Sequence, residues 1–96
     1  MEVNGHKIEP GANLSGANLS RADLRDADLT GANLSGADLT GASLSRANLV
    51  RANLLGADLA GAKLRGTNLL GAYLTDADLF AADLTGATMP DGTIHD

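Results

Sequence analysis

The 96-residue sequence has no cysteine and no tryptophan, and only one tyrosine and one phenylalanine. The lack of cysteine excludes a disulfide framework and any thiolate metal site. With so few rings, the core cannot hold a large cofactor between aromatic side chains. No apolar run approaches the roughly 18 residues of a transmembrane helix, and the first residues do not resemble a signal peptide. We therefore expect a cytoplasmic protein with no membrane contact and no cofactor.

Basic residues are also scarce. Seven Lys or Arg stand against twelve Asp or Glu, which gives a formal net charge of −5. This balance argues against direct binding to nucleic acids or anionic membranes, because both attract basic surfaces. Hydrophobic residues, mostly alanine and leucine, make up 44% of the chain. That fraction predicts a folded domain, since disordered chains have fewer apolar residues and more charge.

Leucine recurs every five residues through most of the chain. An alanine stands two residues before each leucine, with Thr67 as the one exception, and Asn or Asp usually lies between them. Sixteen such units follow one another in unbroken register. The repeat predicts a core built from these periodic residues: Leu14, Leu19, Leu24, Leu29, Leu34, Leu39, Leu44, Leu49, Leu54, Leu59, Leu64, Leu69, Leu74, Leu79, Leu84 and Met89.

A period of five fits neither a continuous helix nor a continuous strand. On a helix, each residue advances about 100°, so leucines five residues apart would spiral around the axis. On a strand, side chains alternate between two faces, so successive leucines would point to opposite faces. A bend in every unit removes the conflict, because alanine and leucine can then both point inward on a short extended piece. Repeated turning in one sense predicts a β-solenoid.

The units Ala12-Asn13-Leu14-Ser15-Gly16 and Ala17-Asn18-Leu19-Ser20-Arg21 closely resemble the pentapeptide-repeat family, whose consensus is A(D/N)LxX. The resemblance implies an all-β fold, a right-handed quadrilateral β-solenoid with four units per coil and about four coils. Periodicity alone leaves the number of sides open. Members of this family are abundant in bacteria, especially cyanobacteria, and most have no assigned activity.

The segments outside the repeats are expected to cap the solenoid, because open ends expose core and unpaired strand edges. In residues 1–10, the Asn4-Gly5 pair predicts a tight turn between two short extended pieces. Val3 and Ile8 are expected to lie across the first coil. The solenoid is expected to occupy residues 11–91, followed by a short cap at 92–96 in which Ile94 covers the last coil.

The sequence shows no constellation of catalytic or metal-binding residues. The two histidines, His6 and His95, lie near opposite termini, and a histidine metal site needs convergent ligands. Paired carboxylates can act in acid–base catalysis only in a cleft that separates their pKa values, and a convex rod offers none. We expect the aspartates to brace the turns instead, and we predict that the chain is not an enzyme.

Residues 20 apart should stack on neighbouring coils if the solenoid has four sides. One side would then carry an acidic column of Asp38, Asp58 and Asp78 below Asn18. Several outward positions of the later repeats hold apolar residues, and a contiguous apolar patch often marks an interface. We predict an interface on the later coils that supports a homodimer or binds another protein, formed by Val50, Leu55, Leu70 and Tyr73, with Phe80 nearby.

These features favour a non-catalytic structural or protein-interaction module with an unidentified protein partner. The alternative is an acidic DNA mimic that modulates a type II topoisomerase such as gyrase, a role that some pentapeptide-repeat proteins have. The repeat region supports that role weakly, because its nine Asp face six Lys or Arg. An enzyme of unknown type is the third and least favoured interpretation.

Overall fold

Alanine and leucine form the interior, as the repeat predicts. In the computed structural model, which describes residues 1–96, the periodic leucines from Leu14 to Leu69 are at most 2% exposed. Each fully buried leucine stabilises the fold by about 1.5–3 kcal/mol. Thr67 replaces one inward alanine and is also fully buried, and its hydroxyl donates a hydrogen bond to the Leu44 carbonyl oxygen at 2.6 Å. This hydrogen bond offsets the desolvation free energy of burying a hydroxyl group in the core.

Each repeat pairs with the repeat 20 residues further along the chain, through parallel bridges such as Asn13 to Asn33. The Leu14 N–H, for example, donates to the Asn33 carbonyl oxygen at 2.7 Å. Twenty residues contain four repeats, so each coil has four sides, which we number in chain order. Their central columns are Asn13, Asn33, Asn53 and Tyr73 on the first side; Asn18, Asp38, Asp58 and Asp78 on the second; Asp23, Ser43, Lys63 and Asp83 on the third; and Asp28, Asn48, Asn68 and Thr88 on the fourth.

The chain turns each corner through a residue in the left-handed region. Glycine takes this position in most repeats, as in Gly56 at φ 67°, because it has no β-carbon to clash there. Six repeats place a non-glycine residue in the same conformation, at φ 58–63°: Arg21, Asp26, Arg46, Arg51, Asp76 and Ala81. Every one of these repeats therefore keeps the same corner conformation, even where the corner residue has a β-carbon that disfavours positive φ.

The central Asn or Asp of a repeat braces the corner that follows it. In twelve of the sixteen repeats, its Oδ1 accepts a hydrogen bond from the backbone N–H two residues later, at 2.9–3.3 Å. The predicted bracing role of these residues is confirmed. The exceptions are the repeats whose central residue is Ser43, Lys63, Tyr73 or Thr88.

The N-terminal segment forms the only two regular strands, β1 at Glu2–Val3 and β2 at His6–Lys7. They pair antiparallel around a turn in which Asn4 and Gly5 both have positive φ. Ile8 follows β2 and is 7% exposed, within the same hydrophobic cluster as the leucines, and Val3 packs against that cluster. The chain contains no helix, so none could cross a membrane.

The C-terminal end differs from the prediction. Ile94 is 63% exposed, so it does not cover the last coil. The tail instead reverses direction and pairs antiparallel with the fourth side, through a Thr88–Ile94 bridge. As a result, four of the expected core residues are only partly buried: Leu74, Leu79, Leu84 and Met89. They line the interior but have no coil beneath them.

Candidate functional site

The outward side chains form columns, because every coil repeats the same backbone. The apolar ones lie on and beside the first side. Val50 and Leu70 stack at the corner before this side, Tyr73 lies on it, and Leu55 stands at the corner after it. Leu55 and Leu70 are each 46% exposed, Tyr73 is 64% exposed, and Val50 is half-buried. We call Val50, Leu55, Leu70 and Tyr73 the apolar patch.

Phe80 does not belong to the apolar patch, although we expected it nearby. It stands at the corner between the second and third sides, so the whole second side separates it from Leu55. Phe80 is 78% exposed. Sequence proximity to Tyr73 is misleading here, because the seven-residue step between them turns one corner and spans the whole second side.

The acidic column of Asp38, Asp58 and Asp78 lies on the second side, joined coil to coil by parallel bridges. Each carboxylate accepts the N–H two residues later at 2.9–3.0 Å, so each also braces a corner. The Thr40 hydroxyl and N–H both bond to Asp38 and lower the pKa of its carboxyl group. All three side chains are exposed on a convex wall.

The third side holds most of the positive charge of the molecule. Five of the seven Lys or Arg lie on this side or at its two corners, together with three Asp, for a net charge of +2. The rest of the chain has the other two Lys or Arg and the other nine Asp or Glu, for a net charge of −7. The five cationic residues are Arg21, Arg25, Arg46, Lys63 and Arg65.

Three ion pairs organise this cationic side. Arg25 binds Asp23 through two side-chain nitrogens, at 2.8 and 2.7 Å, and this contact lowers the pKa of Asp23 to about 2. Arg46 reaches up one coil to Asp26 at 2.9 Å. Arg65 lies 3.5 Å from the Asp83 carboxylate. The Asp83 side chain is 40% exposed and the other five are 58–64% exposed, so each pair contributes little stability and mainly fixes side-chain direction.

No group of three or more His, Asp or Glu side chains converges as metal ligands would. Two shallow grooves flank the third side: one lies beneath the N-terminal hairpin and includes Glu2 and Arg46, and the other includes Arg21 and Lys63. Neither groove contains a histidine or a buried carboxylate.

Comparison with known protein families finds the same repeat. Pentapeptide repeats match in eight copies, over residues 11–46, 27–66, 42–79 and 57–91. The chain belongs to the pentapeptide-repeat family. The resemblance carried by the Ala-(Asp/Asn)-Leu units is thereby confirmed, and the family accounts for the β-solenoid architecture.

Solved structures of pentapeptide-repeat proteins from cyanobacteria are similar to this chain. Rfr23 from Cyanothece 51142 is 42% identical, with a TM-score of 0.63, over 91% of this chain and 63% of that protein. HetL from Nostoc sp. strain PCC 7120, described as involved in heterocyst differentiation regulation, is also 42% identical, with a TM-score of 0.35, over 90% of this chain and 54% of HetL. The chain thus spans less than two thirds of either protein. No curated protein matches the chain.

Proposed function

We propose that this pentapeptide-repeat protein is a non-catalytic interaction module that associates with a second copy of itself through the apolar patch. The observation that carries the proposal is the confinement of the patch to the later coils. The equivalent positions one or two coils earlier are polar: Thr30 above Val50, Ser35 above Leu55, and Asn33 and Asn53 above Tyr73. Adjacent exposed apolar side chains of this kind are typical of interfaces.

The rod would present this patch on a rigid wall. We propose that the winding is right-handed with about four coils, as the family resemblance implies, and the 20-residue bridge spacing supports four repeats in each coil. Leu55 and Leu70 then project from the two corners of one side, with Tyr73 between their columns. A flat side bounded by two apolar corners suits a side-by-side contact between two rods.

A double substitution at the two corners tests the proposal. Leu55→Ser with Leu70→Ser introduces serine, which four earlier repeats carry at this position (Ser15, Ser20, Ser35 and Ser45), so the fold should be retained. We expect light scattering of the eluted protein to show a dimer for the natural sequence and a monomer for the double variant. The control is Phe80→Ser, which removes a more exposed apolar side chain outside the patch and should leave the dimer intact.

Two results would contradict self-association. One is a natural protein that remains monomeric at high micromolar concentration. The other is a double variant that keeps the dimeric mass while its circular dichroism spectrum matches that of the natural protein.

The DNA-mimic alternative has one supporting feature, the acidic column on the second side. The adjoining third side weakens it, because a net charge of +2 there interrupts any continuous acidic surface around the rod. A supercoiling assay with purified gyrase separates the two functions. Inhibition or protection at micromolar protein would favour mimicry over the interaction module.

A further inference from the structure

Three backbone N–H groups lack the side-chain oxygen that accepts the corresponding N–H in the twelve braced repeats. In the usual repeat, the central Asn or Asp accepts the N–H two residues later. Where the central residue is Ser43, Lys63 or Tyr73, the N–H groups of Ser45, Arg65 and Thr75 have no partner within the molecule. Because the backbone repeats from coil to coil, these N–H groups point outward as their braced equivalents do.

Two of these unpaired N–H groups are stacked on the cationic third side. Ser45 and Arg65 lie 20 residues apart in one column, between the braced N–H groups of Arg25 above and Thr85 below. Adjacent coils are about 4.8 Å apart, so a single side chain could contact both. The Ser43 and Ser45 hydroxyl groups, which also make no hydrogen bond in the molecule, lie beside them.

Two cations without an ion pair border the same place. Lys63 is the central residue of the repeat that contains Arg65, and Arg21 stands at the corner before this side. The Arg21 side chain runs down over the next coil, since a β-carbon built on Gly41 would lie 3.5 Å from its Cγ. Arg21, Ser43, Ser45 and Lys63 line one groove.

We propose that this groove binds the carboxylate side chains of an acidic polypeptide segment from a partner protein. The incoming carboxylate takes the place that an aspartate of the chain itself fills elsewhere on the same side, accepting the Ser45 or Arg65 N–H. Lys63 and Arg21 supply the opposite charge. This site lies on the third side and does not depend on self-association through the apolar patch.

The third side itself shows that a carboxylate fits this position. Asp23 accepts the Arg25 N–H at 3.2 Å and the Arg25 guanidinium as well, and Asp83 accepts the Thr85 N–H at 3.0 Å. Hydrogen bonds from N–H groups and cations to an ionised carboxylate are about twice as strong as neutral ones. Complementary charge therefore favours an acidic segment over a neutral one at Ser43 and Lys63.

Thr75 provides an internal comparison. Its N–H lacks a partner in the same way, but its neighbour is Asp76 and its corner adjoins the acidic second side. An acidic segment should be repelled there. If the peptide binds at Ser45 and Arg65 but not at Thr75, then the cations Lys63 and Arg21 contribute to binding in addition to the unpaired N–H groups.

The test is a titration of ¹⁵N-labelled protein with an oligo-glutamate peptide at low ionic strength, with oligo-glutamine of equal length and inorganic phosphate as comparison probes. We expect saturable shifts of the Ser45 and Arg65 amide signals with oligo-glutamate, and none at Thr75. Ser43→Asp fills the position with a carboxylate that the repeat already accepts, and should weaken binding by about tenfold or more. Asn53→Asp makes the same change of charge at the equivalent position on the first side and should leave binding nearly unchanged.

Several outcomes would overturn the proposal. If the Ser45 and Arg65 amide signals do not change, the acidic peptide does not bind at this groove. If Ser43→Asp and Asn53→Asp weaken binding equally, the effect comes from the net charge of the protein and not from the Ser43 position. Shifts of equal size at Thr75, or phosphate binding as tight as oligo-glutamate, would show that no carboxylate-bearing segment is selected. Shifts that depend on protein concentration without peptide would identify a second copy as the occupant instead.

Discussion

The two ends of the solenoid are completed in opposite ways. At the N-terminal end, Ile8 is 7% exposed and seals the core, yet residues 1–8 make only one hydrogen bond to the first coil, from Asn4 Nδ2 to the Asn18 carbonyl oxygen at 3.0 Å. At the C-terminal end, the tail forms four backbone hydrogen bonds with the last coil, which involve the N–H groups of Gly86, Met89, Gly92 and His95. Its apolar residue, Ile94, remains exposed.

This contrast shows that a β-solenoid end presents two separate problems. One is apolar, because the last leucines have no coil beyond them, and the other is polar, because the last backbone groups have no neighbouring strand. The N-terminal hairpin addresses the first problem and leaves most of the backbone edge to solvent. The C-terminal tail pairs with the backbone edge on one of the four sides, but it leaves the last leucines partly exposed. Burial of apolar surface is therefore uneven along the rod, and stability should be too.

The largest expected effect compares the same substitution at the two ends. Leu19 and Leu79 lie in one inward column of the second side, three coils apart, and Leu19 is fully buried whereas Leu79 is partly buried. We expect Leu19→Ala to lower the free energy of unfolding by about 3 kcal/mol, within the usual range for buried leucines, and Leu79→Ala by about half as much. Urea denaturation measures both.

Leu59→Ala is the matched control, because Leu59 is fully buried in the same column with coils on both sides. It should cost as much as Leu19→Ala if the N-terminal cap seals the first coil fully. Equal losses for Leu19→Ala and Leu79→Ala would contradict the proposed difference between the ends.

A smaller effect is expected from the capping residues themselves. Ile8→Ala should lower the unfolding free energy by about 2 kcal/mol because it opens the cap over the first coil. Ile94→Ala should change it by less than about 0.5 kcal/mol, as is usual for exposed positions. Thermal and urea unfolding of both variants measure the difference. A larger loss for Ile94→Ala would show that the tail seals the core in solution.

The smallest expected effect is the loss of stability in acid, and it should be the same at both ends of the rod. Hydrogen bonds lower the pKa of Asp23 to about 2 through Arg25, and the Thr30, Thr85 and Thr93 hydroxyl groups lower those of Asp28, Asp83 and Asp91. A carboxyl group with a lowered pKa in the folded state stabilises the fold above its ordinary pKa of 3.8. This contribution should be lost as the pH falls from about 4 towards 2.

Carboxyl NMR titration checks this expectation directly. Half-protonation of Asp23 near pH 2 is expected, and its midpoint should rise in Arg25→Gln, which removes the guanidinium donor. An Asp23 midpoint at the ordinary value in the natural protein would contradict the ion pair. The first and last coils should lose stability together in acid, since both contain aspartates of this kind.

The candidate surfaces were predictable to different degrees. The outward positions of Val50, Leu55, Leu70 and Tyr73 follow from the five-residue period, since the leucine and alanine positions assign inside and outside. Their relation to Phe80 did not follow, because it depends on how many corners separate two residues. The unpaired N–H groups could be recognised only after the structure showed that the central Asn or Asp accepts the N–H two residues later. The sequence nevertheless contains their signal, which is a central residue other than Asn or Asp.

The sequence by itself determined the direction of every side chain in the repeats, because a local alternation of extended pieces and corners is encoded within each five residues. It also determined the corner chemistry, through glycine and the Asn or Asp braces. Only the tertiary structure decided that 20 residues close one coil, which outward residues share a column, and which end of the core is sealed. Those properties depend on hydrogen bonds and packing between residues far apart in sequence, and identical repeats carry no information about which distant repeat they will meet.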